Sequence, residues 1–278
     1  MLAAIVSVQF GGAVAATLVP AVGAAGAVLL RLGLGAAILV LAVRPRLRGH
    51  PRSAWRVVAL FGLALAAMNW SFYASLARLP IGVAVTLEFL GPLTLAAVLS
   101  RRAKDLAAVA AAALGVLASS GALTTPWADL DLVGIGLALL AGACWAAYVV
   151  LSQRTGRAFA RLDGLAVAMV VALVVVVPAG VGSVPQWDAT VLTKGGAVAL
   201  LSSVLPYSLE LIALRRLSRR VFGILLSLEP AVAALAGAVV LHQSLGSTQL
   251  AGMALVVAAS ALVMGGTARR DVAPQSAT

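Results

Sequence analysis

The chain has 278 residues, of which 62% are hydrophobic and only 10% charged, against roughly 25% charged in soluble domains; its mean hydropathy is +1.08. That balance excludes a soluble enzyme or binding module and points to an integral membrane protein with room for about ten helical crossings of about 20 residues each. A net charge of +11 would suggest nucleic acid in a soluble chain, but here the arginines cluster in short gaps between apolar runs, where they set topology.

The first apolar run, 2 to 19, begins without a charged leader or a small-residue cleavage site, so it reads as a spanning helix rather than a signal peptide. Pro20 closes it. The second run, 23 to 43, holds Arg31; the third, 55 to 76, holds Asn69, Trp70 and Tyr73; the fourth, 81 to 100, holds Glu88 and Pro92. A fifth run covers 104 to 123. The sixth, 132 to 152, carries Cys144, Trp145, Tyr148 and a small-residue stripe of Ala138, Gly142 and Ala146 that lets a neighbouring helix approach closely. Run seven spans 163 to 183. The eighth, 193 to 214, holds Tyr207, Ser208 and Glu210; the ninth, 221 to 241, holds Glu229 and Pro230; the tenth covers 247 to 266, before a polar tail.

Every even gap is basic. Arg44, Arg46, Arg48, Arg52 and Arg56 fill the second, Arg101, Arg102 and Lys104 the fourth, Arg154, Arg157 and Arg161 the sixth, and Arg215, Arg216, Arg219 and Arg220 the eighth, with Arg269 and Arg270 in the tail. The odd gaps hold only Arg78 and Lys194 as cations beside Asp129, Asp131 and Asp188. Both termini are therefore expected in the cytoplasm.

A weak repeat lays residues 76 to 97 over 214 to 235, matching Arg78 with Arg216 and Pro92 with Pro230. Five segments per repeat is an odd number, so the halves must cross in opposite senses, the arrangement of many secondary transporters. The expected organisation is all-α: a first five-helix repeat over 1–125, a second over 130–267, and a cytoplasmic tail over 268–278.

Four ionisable side chains fall in or beside apolar segments: Arg31, Glu88, Glu210 and Glu229. Each costs about 2.5 to 3.5 kcal/mol at a helix centre, so each is expected to face a wet cavity or a partner. Pro92 cannot donate to the carbonyl four residues back, which leaves the Glu88 backbone oxygen free. Glu88 and Glu229 stand about one turn apart in repeat register, so both can project from similar faces. Two readings compete for them: carboxylates that titrate during transport, with Arg31 nearby, or a static role, as an Arg–Glu pair or as a carboxylate bonded to freed backbone. For Arg31 the structural role is preferred. For Glu210, the expectation is pairing with Arg215 or Arg216.

Asn69 and Tyr73 share one helical face, and with Trp145, Tyr148 and Tyr207 they offer polar and aromatic groups suited to a small zwitterion. Trp and Tyr also crowd membrane interfaces without binding anything, a reading that applies above all to Trp70 and Trp145. A single cysteine cannot pair within the chain. His50 and His242 stand apart without a second ligand, so no metal site is expected, and Gly33–Gly35 and Gly195–Gly196 lack a phosphate-loop context.

The stretches "IGVAVTLEFLGPL" (81–93), "AGACWAAYVVLSQR" (141–154), "LPYSLELIAL" (205–214) and "FGILLSLEPAVAALAG" (222–237) resemble the EamA-domain transporters of the drug/metabolite superfamily. "SVQFGGAVAATLVPAVGAAG" (7–26) and "MNWSFYASL" (68–76) extend the likeness over nearly the whole chain. The resemblance implies ten helices in two inverted repeats, alternating access in the bacterial inner membrane, and efflux of small amino acids of the threonine or homoserine kind driven by proton exchange, with no cofactor. It places the substrate near Asn69, Tyr73, Glu88, Trp145, Tyr148, Tyr207 and Glu229. The first helix carries Ala16 where a lysine is expected in the nearest relatives, which bears on substrate identity. The alternatives are a family member with another metabolite or drug as cargo and, from a different class, an intramembrane enzyme or lipid-binding scaffold.

Overall fold

A computed structural model describes residues 1–79, 81–99, 103–119, 131–226, 228–240, 246–248, 250–255 and 257–258. Among the described residues the regular structure is helical throughout. The first half contributes α1 (Leu2–Ala16), α2 (Val19–Val43), α3 (Arg52–Leu76), α4 (Ile81–Leu99) and α5 (Ala103–Ser119). The second contributes α6 (Leu132–Ala158), α7 (Asp163–Gly180), α8 (Ala189–Ala199), α9 (Leu205–Arg216), α10 (Arg219–Leu226) and α11 (Glu229–Val240). Residues 250–255 are helical and belong to the expected tenth segment. Arg101, Arg102, Asp129, His242 and the tail lie outside the described residues.

Five helical stretches are long and apolar enough to cross a membrane: Val19–Val43, Arg52–Leu76, Leu132–Ala158, Asp163–Gln186 and Ala189–Arg216. Shorter apolar helices run Leu2–Ala15, Val83–Leu99 and Leu106–Ala118. The ends follow local chemistry. The Asp131 carboxylate accepts from the Val133 and Gly134 amides at the start of α6, and Asp188 accepts from Val191 at the start of α8, satisfying donors that have no partner within the helix. Arg44 closes α2 in the left-handed conformation.

Three boundaries differ from the sequence reading. Pro20 opens α2 instead of closing α1, because a proline in the first turn forfeits an amide that has no helical acceptor anyway. The chain bends just beyond it, at Gly23, whose φ of 71° suits a residue without a β-carbon. The eighth segment is α8 and α9 joined by a π-helical turn, Leu200–Val204. Finally, the ninth is two helices, α10 and α11, with Leu228 in a turn between them. Pro230 therefore lies at the beginning of α11, whereas Pro92, with which it aligns in sequence, lies inside the continuous α4.

The two halves interlock. α3 packs most extensively on α6 and also on α7, α4 packs on α6 and α10, α2 on α7 and α8, and α1 on α8, α9 and α11. Large apolar side chains such as Leu41, Val98 and Val174 stand exposed on the outside, while most of the buried polar groups gather between the helices. A chain whose solvent is lipid has no reason to hide its leucines; it must hide its charges.

The loops sort by end. At one end the Arg46 amide donates to Asp163, the His50 ring lies 4.3 Å from that of Phe159, and the Arg215 guanidinium donates to the carbonyls of Gly156, Phe159 and Arg161. These contacts tie together the arginine-bearing gaps after α2, α6 and α9. Elsewhere Arg78, beyond α3, pairs with Asp131 at 2.8 Å.

Candidate functional site

A cavity of about 170 Å³ lies between the halves, walled by side chains of α1, α2, α3 and α4 on one side and of α6, the π turn, α9 and α11 on the other. Its wall is mostly apolar, from Val8, Met68, Phe72, Val85, Phe89 and Trp145. Set into it are Gln9, Arg31, Asn69, Tyr73, Glu88, Ser202, Tyr207, Glu210 and Glu229. One guanidinium and three carboxylates thus share a space less than a tenth exposed at each of these four residues.

The proline of α9 explains how Arg31 is held. Pro206 has no amide hydrogen to give the Ser202 carbonyl four residues back, and the π turn displaces the neighbouring bonds as well. Arg31 Nη2 donates to that Ser202 carbonyl at 2.6 Å, and the Ser7 hydroxyl donates to the Leu201 carbonyl at 2.7 Å. Arg31 Nε donates to Ser203 Oγ at 2.8 Å, and Nη2 also reaches Tyr207 Oη at 2.9 Å. The close approach is possible because the facing positions are small: a β-carbon on Gly11 would collide with Ser202, and one on Gly35 would lie 2.8 Å from Met169 and 3.4 Å from Ser203. Gly35 is thus a packing residue, as is Gly195, which faces Leu30.

Asn69 and Tyr73, one turn apart on α3, both reach the cavity. Asn69 Nδ2 donates to the Leu65 carbonyl at 2.8 Å and to Tyr207 Oη at 3.2 Å, so the Tyr207 oxygen accepts from both Asn69 and Arg31. Trp145 is buried and sits edge-on to Phe89 with ring centroids 4.8 Å apart, while Trp70 is 45% exposed and faces outward.

Glu229 accepts from Gln9 Nε2 at 3.1 Å, and Glu210 accepts from the Tyr148 hydroxyl at 2.7 Å. The expected pairing of Glu210 with the arginines at the end of α9 is not made, since Arg215 is spent on three carbonyls of the α6–α7 connection. Glu210 instead points inward and joins the cavity. Tyr148 is brought to the site but not to its wall: it is fully buried behind Glu210, with its ring 5.6 Å from Tyr207 and 5.3 Å from Phe61. A static Arg–Glu pair is likewise not formed. Among the described residues the ion pair is Arg78–Asp131, and Arg31 is anchored by neutral oxygens.

Glu88 differs from the other two acids. Its carboxylate accepts no hydrogen bond among the described residues, although it lines the cavity and is 8% exposed. Its backbone oxygen, released by Pro92, faces Gly142 of α6, where an added β-carbon would come within 2.6 Å. The small-residue stripe of α6 is therefore what α4 rests on.

Gln9, Ser202 and Ser203 are the polar groups of the site that the sequence reading does not single out, and Glu210 is one it gives another partner. Gln9 is the one side-chain amide of the first helix, and Ser202 is marked by the same proline rule that marks Glu88. Among the described residues no group of His, Cys, Asp and Glu is arranged to hold a metal ion.

Residues 132–265 match the profile described as the EamA-like transporter family. The threonine/homoserine exporters RhtA of Salmonella typhimurium (strain SL1344) and Escherichia coli (strain K12) are each 40% identical to this chain over 262 residues, covering 94% of it and 88% of the relative. A crystal structure of a protein 19% identical in sequence superposes with a TM-score of 0.76, covering 98% of this chain and 99% of that one; at that identity it speaks for the fold.

Proposed function

The chain belongs to the EamA-like transporter family, and from that premise we propose that it exports small amino acids of the threonine and homoserine kind across the bacterial inner membrane by proton-coupled alternating access. The observation that carries this reading is the cavity itself. It lies between two interlocked halves, carries charges of both signs, and at about 170 Å³ falls below the roughly 300–1,000 Å³ of drug-sized pockets. A small polar solute fits such a space better than a lipophilic drug. The 40% identity to RhtA exporters over most of both chains supports the same cargo.

Ten crossings in two inverted repeats, 1–125 and 130–267, with both termini cytoplasmic, complete the proposal. The packing supports it. Exchange α1 with α6, α2 with α7, α3 with the α8–α9 unit and α4 with the α10–α11 unit, and the principal neighbours exchange too: α3 on α6 becomes α9 on α1, α4 on α6 becomes α11 on α1, and α3 on α7 becomes α8 on α2. Substrate contact is assigned to Asn69, Tyr73, Glu88, Trp145, Tyr207 and Glu229, with Tyr148 acting through Glu210. Coupling is assigned to Glu88 or Glu229, because a carboxylate facing a cavity between two rocking halves can exchange its proton with either side in turn.

The test is efflux of labelled threonine and homoserine from proteoliposomes under an imposed pH gradient, across a panel of amino acids. Gradient-dependent export of small hydroxylated amino acids is expected. Absence of amino-acid export across the panel would overturn the proposed cargo.

A further inference from the structure

We infer that Arg31 and Glu88 are the two poles of a zwitterion site, Arg31 receiving the α-carboxylate and Glu88 the ammonium group of one amino acid; this rests on the export reading above. Both side chains line the same cavity, both are 8% exposed, and each is a polar neighbour of the other. Opposite charges buried together attract strongly and normally close into an ion pair. Here none joins them.

The reason they stay apart is visible in how Arg31 is tethered. Its Nε and Nη2 are spent on Ser203 Oγ, the Ser202 carbonyl and Tyr207 Oη, all beside the π turn that Pro206 stabilises by withholding an amide. Those three bonds leave out the remaining nitrogen, Nη1, and the guanidinium has the Tyr73 hydroxyl, as a hydrogen-bond partner, and Glu88 as its further polar neighbours. A guanidinium anchored by two of its three nitrogens presents the third as a fixed donor for a planar oxyanion.

Glu88 is held equally firmly from the other side, its backbone pressed on Gly142. Of the three acids it is the unengaged one, since Glu210 is bonded by Tyr148 and Glu229 by Gln9. Tyr207 adds a further donor: its oxygen already accepts from Arg31 and Asn69, and its own proton has no acceptor among the described residues. An isolated cation would leave Arg31 unpaired, and an isolated anion would leave Glu88 unpaired. A zwitterion satisfies both at once.

This predicts selectivity for substrates bearing both charges. In proteoliposomes of the full-length protein, labelled L-threonine counterflow is challenged with unlabelled L-threonine, with L-threonine amide, which lacks the carboxylate, and with 3-hydroxybutyrate, which lacks the ammonium group. Each analogue is expected to compete at least about tenfold more weakly than threonine, because a site built around a polar group rejects ligands that leave it unpaired. Arg31→Gln should narrow the gap between threonine and its amide, and Glu88→Gln the gap between threonine and 3-hydroxybutyrate. Ser203→Ala, which removes only the Nε anchor, should move the first gap in the same direction by a smaller factor and keeps the test open where Arg31→Gln fails to fold. A purely structural Arg31 would weaken every competitor alike, and that result overturns the inference. Threonine amide or 3-hydroxybutyrate competing as well as threonine on the unmodified protein also overturns it, and leaves export standing. No threonine counterflow at all overturns both.

Discussion

Gly91 and Gly142 meet backbone to backbone where α4 crosses α6. A β-carbon on Gly91 would collide with the Gly142 carbonyl, and one on Gly142 would lie 2.6 Å from the Glu88 oxygen that Pro92 leaves unbonded. The crossing sets the depth at which Glu88 enters the cavity, so packing and site are the same feature seen from two helices. Gly91→Ala and Gly142→Ala are expected to destabilise the protein by about 1–3 kcal/mol, the usual cost of overpacking. Gly136→Ala is the control, because nothing lies within 4 Å of its added methyl and alanine is the better helix former. Melting temperatures in detergent decide it; Gly91→Ala melting with the parent protein would refute the crossing.

The bond from Tyr148 to Glu210 is a second dependence of site on core. Tyr148→Phe keeps the ring packing but leaves a buried carboxyl without its donor, at a cost of about 1–3 kcal/mol. Replacing both partners with apolar groups, as in Tyr148→Phe with Glu210→Leu, should recover much of that loss, since the penalty belongs to the unsatisfied acid and not to the missing hydroxyl. The comparison is again thermal, and a double variant less stable than Tyr148→Phe would mean that Glu210 has another essential partner.

How much of this was legible in the sequence depends on the range of the interaction. Asn69 and Tyr73 face the cavity together because a helix places residues four apart on one side, and Glu88 and Glu229 stand out as charges in apolar runs that need a polar surface. Those are local rules. For Glu210 the sequence favours Arg215, five residues on, while the acceptors that claim Arg215 lie 54 to 59 residues from it. The anchors of Arg31 are 171 to 176 residues distant, a separation at which periodicity carries no information. The proline rule, applied to Pro92, identifies the Glu88 carbonyl; applied to Pro206, it identifies Ser202 equally well.

Pro206 itself is therefore a functional position with a predictable variant. Pro206→Ala restores an amide that competes with Arg31 for the Ser202 carbonyl and gives α9 a residue that favours helix by up to about 3 kcal/mol. The melting temperature should not fall, while the KM for threonine rises because Arg31 loses one of its anchors. A fall in stability with unchanged KM would show that the π turn serves packing alone.

At the Arg78–Asp131 pair the prediction concerns acid. The Arg78 hydrogen bond, helped by the Gly134 and Val133 amides, holds the Asp131 carboxyl below its ordinary value. A depressed carboxyl contributes stability that is whole above the ordinary aspartate range and is lost as the pH falls through the lowered value. Both side chains are well exposed, 47% and 37%, so the effect is small and screened by salt. Asp131→Asn retains the helix cap and removes the charge. The difference in melting temperature between it and the parent protein should shrink as the pH drops below that range; a difference that stays constant would mean that the charge of Asp131 does not supply the stabilisation.

The arginine-bearing gaps make the last prediction. Arg46 bonds to Asp163, His50 stacks near Phe159, and Arg215 clasps the carbonyls of Gly156, Phe159 and Arg161, so the gaps after α2, α6 and α9 share one end of the molecule. The cation in the gap after α3, Arg78, is matched by an acid. Unneutralised arginines belong in the cytoplasm. A reporter that works only in the periplasm should therefore be inactive when fused in the 44–56 gap and active when fused near Asp188. Replacing Arg44, Arg46 and Arg48 with serine should weaken that bias without touching the cavity, because these residues act on insertion and not on transport. Activity of the reporter in the 44–56 gap of the unaltered chain would reverse the orientation and, with it, the direction assigned to export.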